Sequence, residues 1–123
     1  IPAIFQLIIE KVSDQLASFD PKVSQTIEHI VERFFENVEN ALVYVCSDED
    51  RKAQVRFNVF ERWYQRSSYR EYIVKIDHVM HFETSESGIQ KLYTSFMLHR
   101  QNPHHDTLIQ IYHQIESVLN QVK

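Results

Sequence analysis

The chain has 123 residues, of which 43% are hydrophobic and 24% charged; this is ordinary globular composition and argues against disorder. The formal net charge of -4, without a dense basic block, argues against electrostatic capture of nucleic acid or of an anionic membrane surface. No apolar run approaches the length that crosses a bilayer, and one domain, 1–123, is expected at this length.

Cys46 is the only cysteine, so an intramolecular disulfide is impossible. Because it ends an apolar run, we expect a buried, inert thiol rather than a nucleophile. A reducing cytoplasm is the natural location for such a chain.

The first segment, residues 4–12, fits two structures. Phe5, Leu7 and Ile9 alternate as in a strand, but a helical face is formed equally well by Phe5, Ile8, Ile9, Val12 and Leu16. Spacing alone does not choose between them.

A helix is clearer after residue 20. Asp20 is a suitable N-cap, Pro21 suits the first helical position, and apolar residues then lie three or four apart, at Val23, Ile27, Ile30, Val31 and Phe34. The pattern predicts a helix of about four turns that ends near residues 36–40, where asparagines can close it.

The run Ala41–Cys46 is wholly apolar and predicts a central strand covered on both faces. Residues 53–59 alternate apolar and polar, so they could also form a second strand, in a hairpin with Ala41–Cys46. A helix over 48–66 is the favoured interpretation, because the connecting turn lacks the glycine that a tight hairpin requires.

Two further features favour that helix. Ser47 and Asp50 resemble a capping box, with the acids Asp48 and Glu49 placed in a first turn where the helix dipole favours anions. An apolar stripe then runs along one side, through Ala53, Phe57, Phe60 and Tyr64.

The last third predicts a hairpin and a helix. Tyr72, Val74, Ile76, Met80 and Phe82 line one side of an alternating run, and we expect the other side, with Lys75, Asp77, His81 and Glu83, to be exposed. Gly88 marks a turn with positive φ before a second strand over 92–98. Asp106 is expected to cap a helix with the apolar stripe Leu108, Ile111, Tyr112, Ile115, Val118, Leu119 and Val122.

The order of these motifs resembles a family of small uncharacterised proteins from Bacteroidetes. The resemblance rests on Phe5–Val12, Asp20-Pro21, Thr26-Ile27, Phe34-Phe35, Val43–Ser47, Asp50-Arg51, Arg56, Phe60, Trp63-Tyr64, Tyr93–Ser95 and Asn102-Pro103. It implies the order strand, helix, strand, helix, strand, strand, helix, and so favours a strand over 4–12 and a helix over 48–66. No activity comes with it. We therefore predict a single α/β domain with a four-stranded mixed sheet and three helices.

The sharpest chemical signal is the acidic turn at the end of the buried strand. Ser47, Asp48 and Asp50 are weak catalytic candidates, because paired carboxylates at a strand end can hold Mg²⁺ for phosphoryl chemistry. Acids near a helix start are also common for capping alone, and that explanation is favoured.

Arg51, Arg56 and Trp63, with Arg62 and Tyr64, are weak binding candidates for an anion or an aromatic ligand. A solvated, salt-bridged face and a tryptophan anchored in the core are the favoured explanations.

Histidines crowd the last third, at His99, His104, His105 and His113, but none has a recognised metal-site spacing and no metal is expected. A single glycine excludes glycine-rich phosphate loops, and no cofactor is expected.

These observations favour a binding or assembly module without catalysis, with an Mg²⁺-dependent enzyme on a phosphate ester or nucleotide as the alternative. A homodimer through the last elements is predicted, with a further protein partner possible, because Ile109 widens the apolar stripe of the last helix and Tyr112 lies on its margin. The alternative is that Ile109 packs under a neighbouring loop.

Overall fold

The computed structural model describes residues 3–8, 21–47, 52–84 and 88–121. The elements lie in the order β1 (Ala3–Leu7), α1 (Pro21–Phe34), β2 (Asn40–Ser47), α2 (Ala53–Arg66), a 3₁₀ turn (Tyr69–Glu71), β3 (Ile73–Thr84), β4 (Gly88–His99) and α3 (His105–Gln121). This is the predicted order, and the strand over the described part of 4–12 and the helix after β2 are both confirmed.

The four strands form one mixed sheet in the order β1-β2-β4-β3. β1 pairs with β2 in parallel, and β4 lies antiparallel to both β2 and β3. The hairpin of β3 and β4 therefore folds back so that its second strand contacts β2, which leaves β3 at one edge and β1 at the other. β2 is central, as its apolar sequence predicts.

Two hydrophobic clusters cover the two faces of the sheet. The first joins β2 to α1 and α2, and its buried members are Val31, Phe35, Leu42, Tyr44, Cys46, Ala53, Phe60, Tyr69, Ile73 and Met97. The second lies under α3, and its buried members are Ala41, Met80, Phe96, Leu98, Leu108 and Tyr112. The alternation along β2 explains the division, since neighbouring residues of a strand point to opposite faces.

The ends of the helices correct several predictions. α2 begins at Ala53 with Lys52 at the N-cap and no side-chain cap, so Ser47, which ends β2, does not cap it and the predicted capping box is wrong. Asp48, Glu49 and Asp50 lie outside the described residues. Asp20 lies outside the described residues, but Pro21 does begin α1. The end of α1 is closed as predicted by asparagine, because Asn40 Nδ2 donates to the Phe34 carbonyl at 2.9 Å.

α3 begins at His105, so Asp106 lies in the first turn and is not the cap. Asn102 organises this start instead: its Oδ1 accepts from the His104 amide at 2.8 Å, and its carbonyl accepts from the His105 amide at 3.1 Å. Gly88 has φ +76°, which confirms the predicted turn conformation.

The predicted exposed face of β3 is wrong at Lys75. Ile73 is buried in the first cluster, and the Lys75 side chain is only 2% exposed. Asp77, His81 and Glu83 are exposed as expected. The reason is that α2 lies over this part of the sheet, which a strand pattern alone does not reveal. No helix among the described residues is long and apolar enough to span a membrane.

Candidate binding surface

The predicted catalytic candidates lie at the end of β2. Ser47 is the last residue of that strand, while Asp48 and Asp50 fall outside the described residues, as does the binding candidate Arg51. Their proposed chemistry therefore stays a prediction.

The other two binding candidates lie on α2. Arg56 is exposed near the start of the helix, and Trp63 lies two turns further along on the same side. The Trp63 ring is half-buried and packs against the first hydrophobic cluster, which is the anchoring role expected of most tryptophans.

Charged side chains meet beneath α2, around Lys75 of β3. Lys75 Nζ lies 2.5 Å from Glu61 Oε2 and 2.6 Å from Asp77 Oδ1, and Asp77 Oδ1 also accepts from Ser95 Oγ at 2.8 Å. The Glu61 and Asp77 side chains are 36% and 39% exposed, whereas the lysine is covered. Both carboxylates therefore remain hydrated on one side while they neutralise a buried cation.

Aromatic rings complete the surroundings of this cation. Lys75 Nζ lies 5.3 Å from the ring centre of Phe57, 5.9 Å from that of Phe60 and 5.8 Å from that of Tyr64. The Tyr64 hydroxyl also donates to the Ile73 carbonyl at 2.6 Å, which ties the end of α2 to the start of β3. Because a substrate cannot reach the ammonium group, this arrangement stabilises the docking of α2 and is not an open reaction centre.

A second polar group is buried on the opposite face, under α3. Thr94 Oγ1 lies 2.6 Å from the Tyr112 hydroxyl and donates to the His78 carbonyl at 2.7 Å, and the Tyr112 ring stacks on Phe96 at 4.9 Å. Burial raises the pKa of Tyr112. The polar atoms satisfy one another within the core, which indicates a packing role.

The thiol of Cys46 is buried, as predicted. Its neighbour on the same face of β2 is Tyr44, whose pKa is raised by burial and by a hydrogen bond with Cys46. The described residues contain no group of three or more histidine, cysteine or acidic side chains placed to hold a metal ion. Among the described residues, His104 and His105 meet the carboxylates of Glu39 at 3.7 Å and of Asp106 at 3.4 Å.

Exposed apolar side chains gather at the β1 edge of the sheet. We define the edge surface as Ile4, Phe5, Ile8, Ile30 and Phe34, contributed by β1, the residue directly after it, and α1. Phe5 is 48% and Ile30 52% exposed, and the Phe5 ring meets Phe34 edge-on at 5.3 Å. Ile30 lies one helical turn before Phe34, so the two share a side of α1. Phe5, Ile30 and Phe34 therefore form one strip on the α1 side of the sheet, and Ile4 points to the opposite side at the same edge.

The backbone of β1 adds hydrogen-bonding capacity to this strip. One side of β1 pairs with β2, and within the described ranges no strand pairs with its other side. A shallow depression on α1 adjoins the strip at Ile30 and is otherwise lined by polar side chains, namely those of Lys22, Gln25, Thr26 and His29. The arrangement suits contact with an extended polypeptide better than enclosure of a small molecule.

This surface was not predicted from the sequence. The prediction placed the surplus apolar width on α3, where Ile109 is half-buried against the second cluster, Tyr112 is buried in it, and Ile111 is the exposed residue. The available signal was at the other end of the chain: residues 3–8 are uncharged, and Ile30 widens the stripe of α1.

The model of a family described as "Family of unknown function (DUF6169)" matches residues 19–114 of the chain. Neither the curated proteins nor the solved structures gave a match.

Proposed function

We propose that this chain, which belongs to the family of unknown function DUF6169, is a binding or assembly module that works through contact with another protein chain. The observation that carries the proposal is the edge surface, where exposed apolar side chains adjoin a strand whose outer backbone groups pair with no strand of the described residues. Together they offer burial of apolar area and main-chain hydrogen bonds, the two contributions by which a sheet edge binds a polypeptide.

The distribution of exposed apolar residues supports this surface over others. Single ones are ordinary on a protein surface, and Val55 on α2 and Ile89 on β4 are of that kind. Contact between Phe5 and Phe34 instead joins β1 to α1, and contiguous apolar surface of this type marks an interaction site.

The alternative, an Mg²⁺-dependent enzyme, depends on Asp48 and Asp50. It predicts that millimolar Mg²⁺ raises the melting temperature and that Asp48→Asn abolishes the shift. Our proposal predicts no Mg²⁺-dependent shift. The proposal also places the protein in the cytoplasm, where its single buried cysteine is compatible with reducing conditions.

The test is binding by purified proteins. Proteins captured by the tagged chain from its own cells are purified individually, an untagged copy of the chain is included, and each affinity is measured by calorimetry. We expect Ile30→Lys to weaken the binding of a true partner at least about tenfold, because it buries an unpaired charge in the contact.

Val55→Lys is the matched control, since Val55 is 58% exposed and lies on α2 rather than on the edge surface. This variant should bind as the original chain does. The proposal is wrong if no purified protein binds, or if Ile30→Lys binds as tightly as Val55→Lys.

A further inference from the structure

We infer that the occupant of the edge surface is a second copy of this chain, and that the two β1 strands pair antiparallel across a two-fold axis to join two four-stranded sheets. This inference rests on the proposed function and names its partner. It places the predicted homodimer at the first elements of the chain instead of the last.

The chemistry of the open edge selects the kind of occupant. A strand edge presents alternating N–H and C=O groups, and only another extended backbone satisfies them in series. Side chains of β1 are apolar on both faces at this edge, since Ile4 and Phe5 alternate and both are substantially exposed. The occupant is therefore an extended strand with apolar side chains on both faces, which describes β1 itself.

The distribution of charge is compatible with a second copy at this edge. Two copies that each carry a formal charge of -4 repel one another unless they meet through a neutral surface. β1 has the sequence AIFQL and contributes no charge. The acids of α1 point away: Glu28 and Glu32 both bond to Ser68, beyond α2, with Ser68 N to Glu28 Oε1 at 2.9 Å and Ser68 Oγ to Glu32 Oε1 at 2.5 Å.

Helix geometry places these acids opposite the edge surface. Glu28 and Ile30 are two residues apart, which is about 200° around a helix. The side of α1 that carries Ile30 therefore faces away from the side held against Ser68. A second copy meets Ile30 and the polar side chains beside it, and not the acids of α1.

Closure of the assembly favours pairing of β1 with β1. Pairing of β1 with β3 of another copy leaves open edges and produces a fibre, whereas pairing of β1 with β1 closes after two copies. β3 discourages the first mode, because it is an edge strand with the buried cation of Lys75 and the exposed Asp77 and His81. β1 therefore pairs with β1 of the second copy.

The test uses the purified full chain and static light scattering from micromolar concentrations upward. We expect a mass of twice the 14.8 kDa of one chain. Ile30→Lys and Ile8→Lys should each return the mass to that of one chain, and Val55→Lys should leave the dimer intact. Circular dichroism verifies that each variant is folded, and Ile8→Lys provides an independent probe because Ile8 is 65% exposed.

Oxidative cross-linking tests the pairing itself. Full overlap of the five-residue strands puts the two-fold axis at Phe5, so Phe5→Cys should cross-link two chains readily under mild oxidation, and Val55→Cys should not. Cysteine at Ile4 or Gln6 should cross-link less well than at Phe5.

The outcomes separate this inference from the proposed function. A mass of one chain at every concentration overturns the second copy as occupant, and the calorimetric comparison with other purified proteins then still decides whether the surface binds a different partner. A dimer that survives both Ile30→Lys and Ile8→Lys, or one that is broken only by Ile111→Lys on α3, overturns the placement at β1.

Discussion

The two edges of the sheet, β1 and β3, differ in length, charge and how their side chains are buried. β1 is five residues long, uncharged and apolar on both faces, and Phe5 within it is half exposed. β3 is twelve residues long and turns a lysine inward to meet two carboxylates beneath α2. The same sheet therefore has one uncharged edge and one edge that carries charge where a further strand would approach.

The difference indicates how a small sheet can associate without polymerising. An inward-pointing charge on an edge strand resists further pairing, since a new neighbour would disturb its ion pairs. If one edge is blocked in this way, the other edge can remain open and yet give only a closed pair. The buried Lys75 then acts on assembly indirectly, through the edge that it keeps from pairing.

The largest expected effect comes from breaking the charged edge. Replacing both partners of Lys75, by Glu61→Gln with Asp77→Asn, leaves a buried cation without counter-charge and should lower the free energy of unfolding by about 3 kcal/mol. Urea denaturation of the two forms measures the difference. Lys75→Met is the informative control.

Lys75→Met should lower the free energy of unfolding by only about 1 kcal/mol. Methionine fills a similar volume, and the two carboxylates, each more than a third exposed, regain full hydration. Equal losses from the two variants would show that the larger loss does not come from leaving the buried cation without counter-charge.

The next largest effect is a dependence of the free energy of unfolding on pH. Tyr69, in the 3₁₀ turn that leads into β3, is buried, and burial raises its pKa to about 12. Because the pKa of an unfolded tyrosine is about 10, the folded Tyr69 keeps its proton to a higher pH than the unfolded chain does. The stabilisation is complete below pH about 10 and is lost as the pH rises from there to about 12.

We therefore expect Tyr69 to contribute about 2 kcal/mol to the fall in the free energy of unfolding over that interval, measured by urea denaturation at several pH values. Tyr69→Phe should show a smaller fall. It should not remove the fall entirely, because burial also raises the pKa of Tyr44, Tyr64 and Tyr112. An identical pH dependence in the variant would contradict the assignment to Tyr69.

The smallest effect on stability is expected at the β1 edge. Ile8→Lys and Ile30→Lys replace exposed side chains, so in dilute solution each should change the free energy of unfolding by no more than about 0.5 kcal/mol. Their effect lies in association. The melting temperature of the original chain should rise with protein concentration, as mass action requires for a dimer, and that of the two variants should not.

The sequence determined the type of most main elements, because periodicity is a local property of the chain; for β1, the spacing fitted a helix equally well. The stripe of Ala53, Phe57, Phe60 and Tyr64 gave the correct choice of helix over hairpin for α2, and the apolar run of β2 gave a central strand. Helix starts were less accurate. Asp106 and the acids before α2 have good capping chemistry, yet Asn102 and Lys52 occupy those ends, since several nearby residues can cap and tertiary packing selects among them.

Only the tertiary structure decided which strands lie at the edges and what covers each face. The pattern of β3 placed Lys75 on a polar side, and a polar side normally means solvent. α2 instead delivers Glu61 to that face from fourteen residues earlier in the chain, and a charge that is supplied with a partner can be buried. In the same way, β1 became an edge because the second strand of the hairpin inserted beside β2, a pairing between distant segments that no local periodicity encodes.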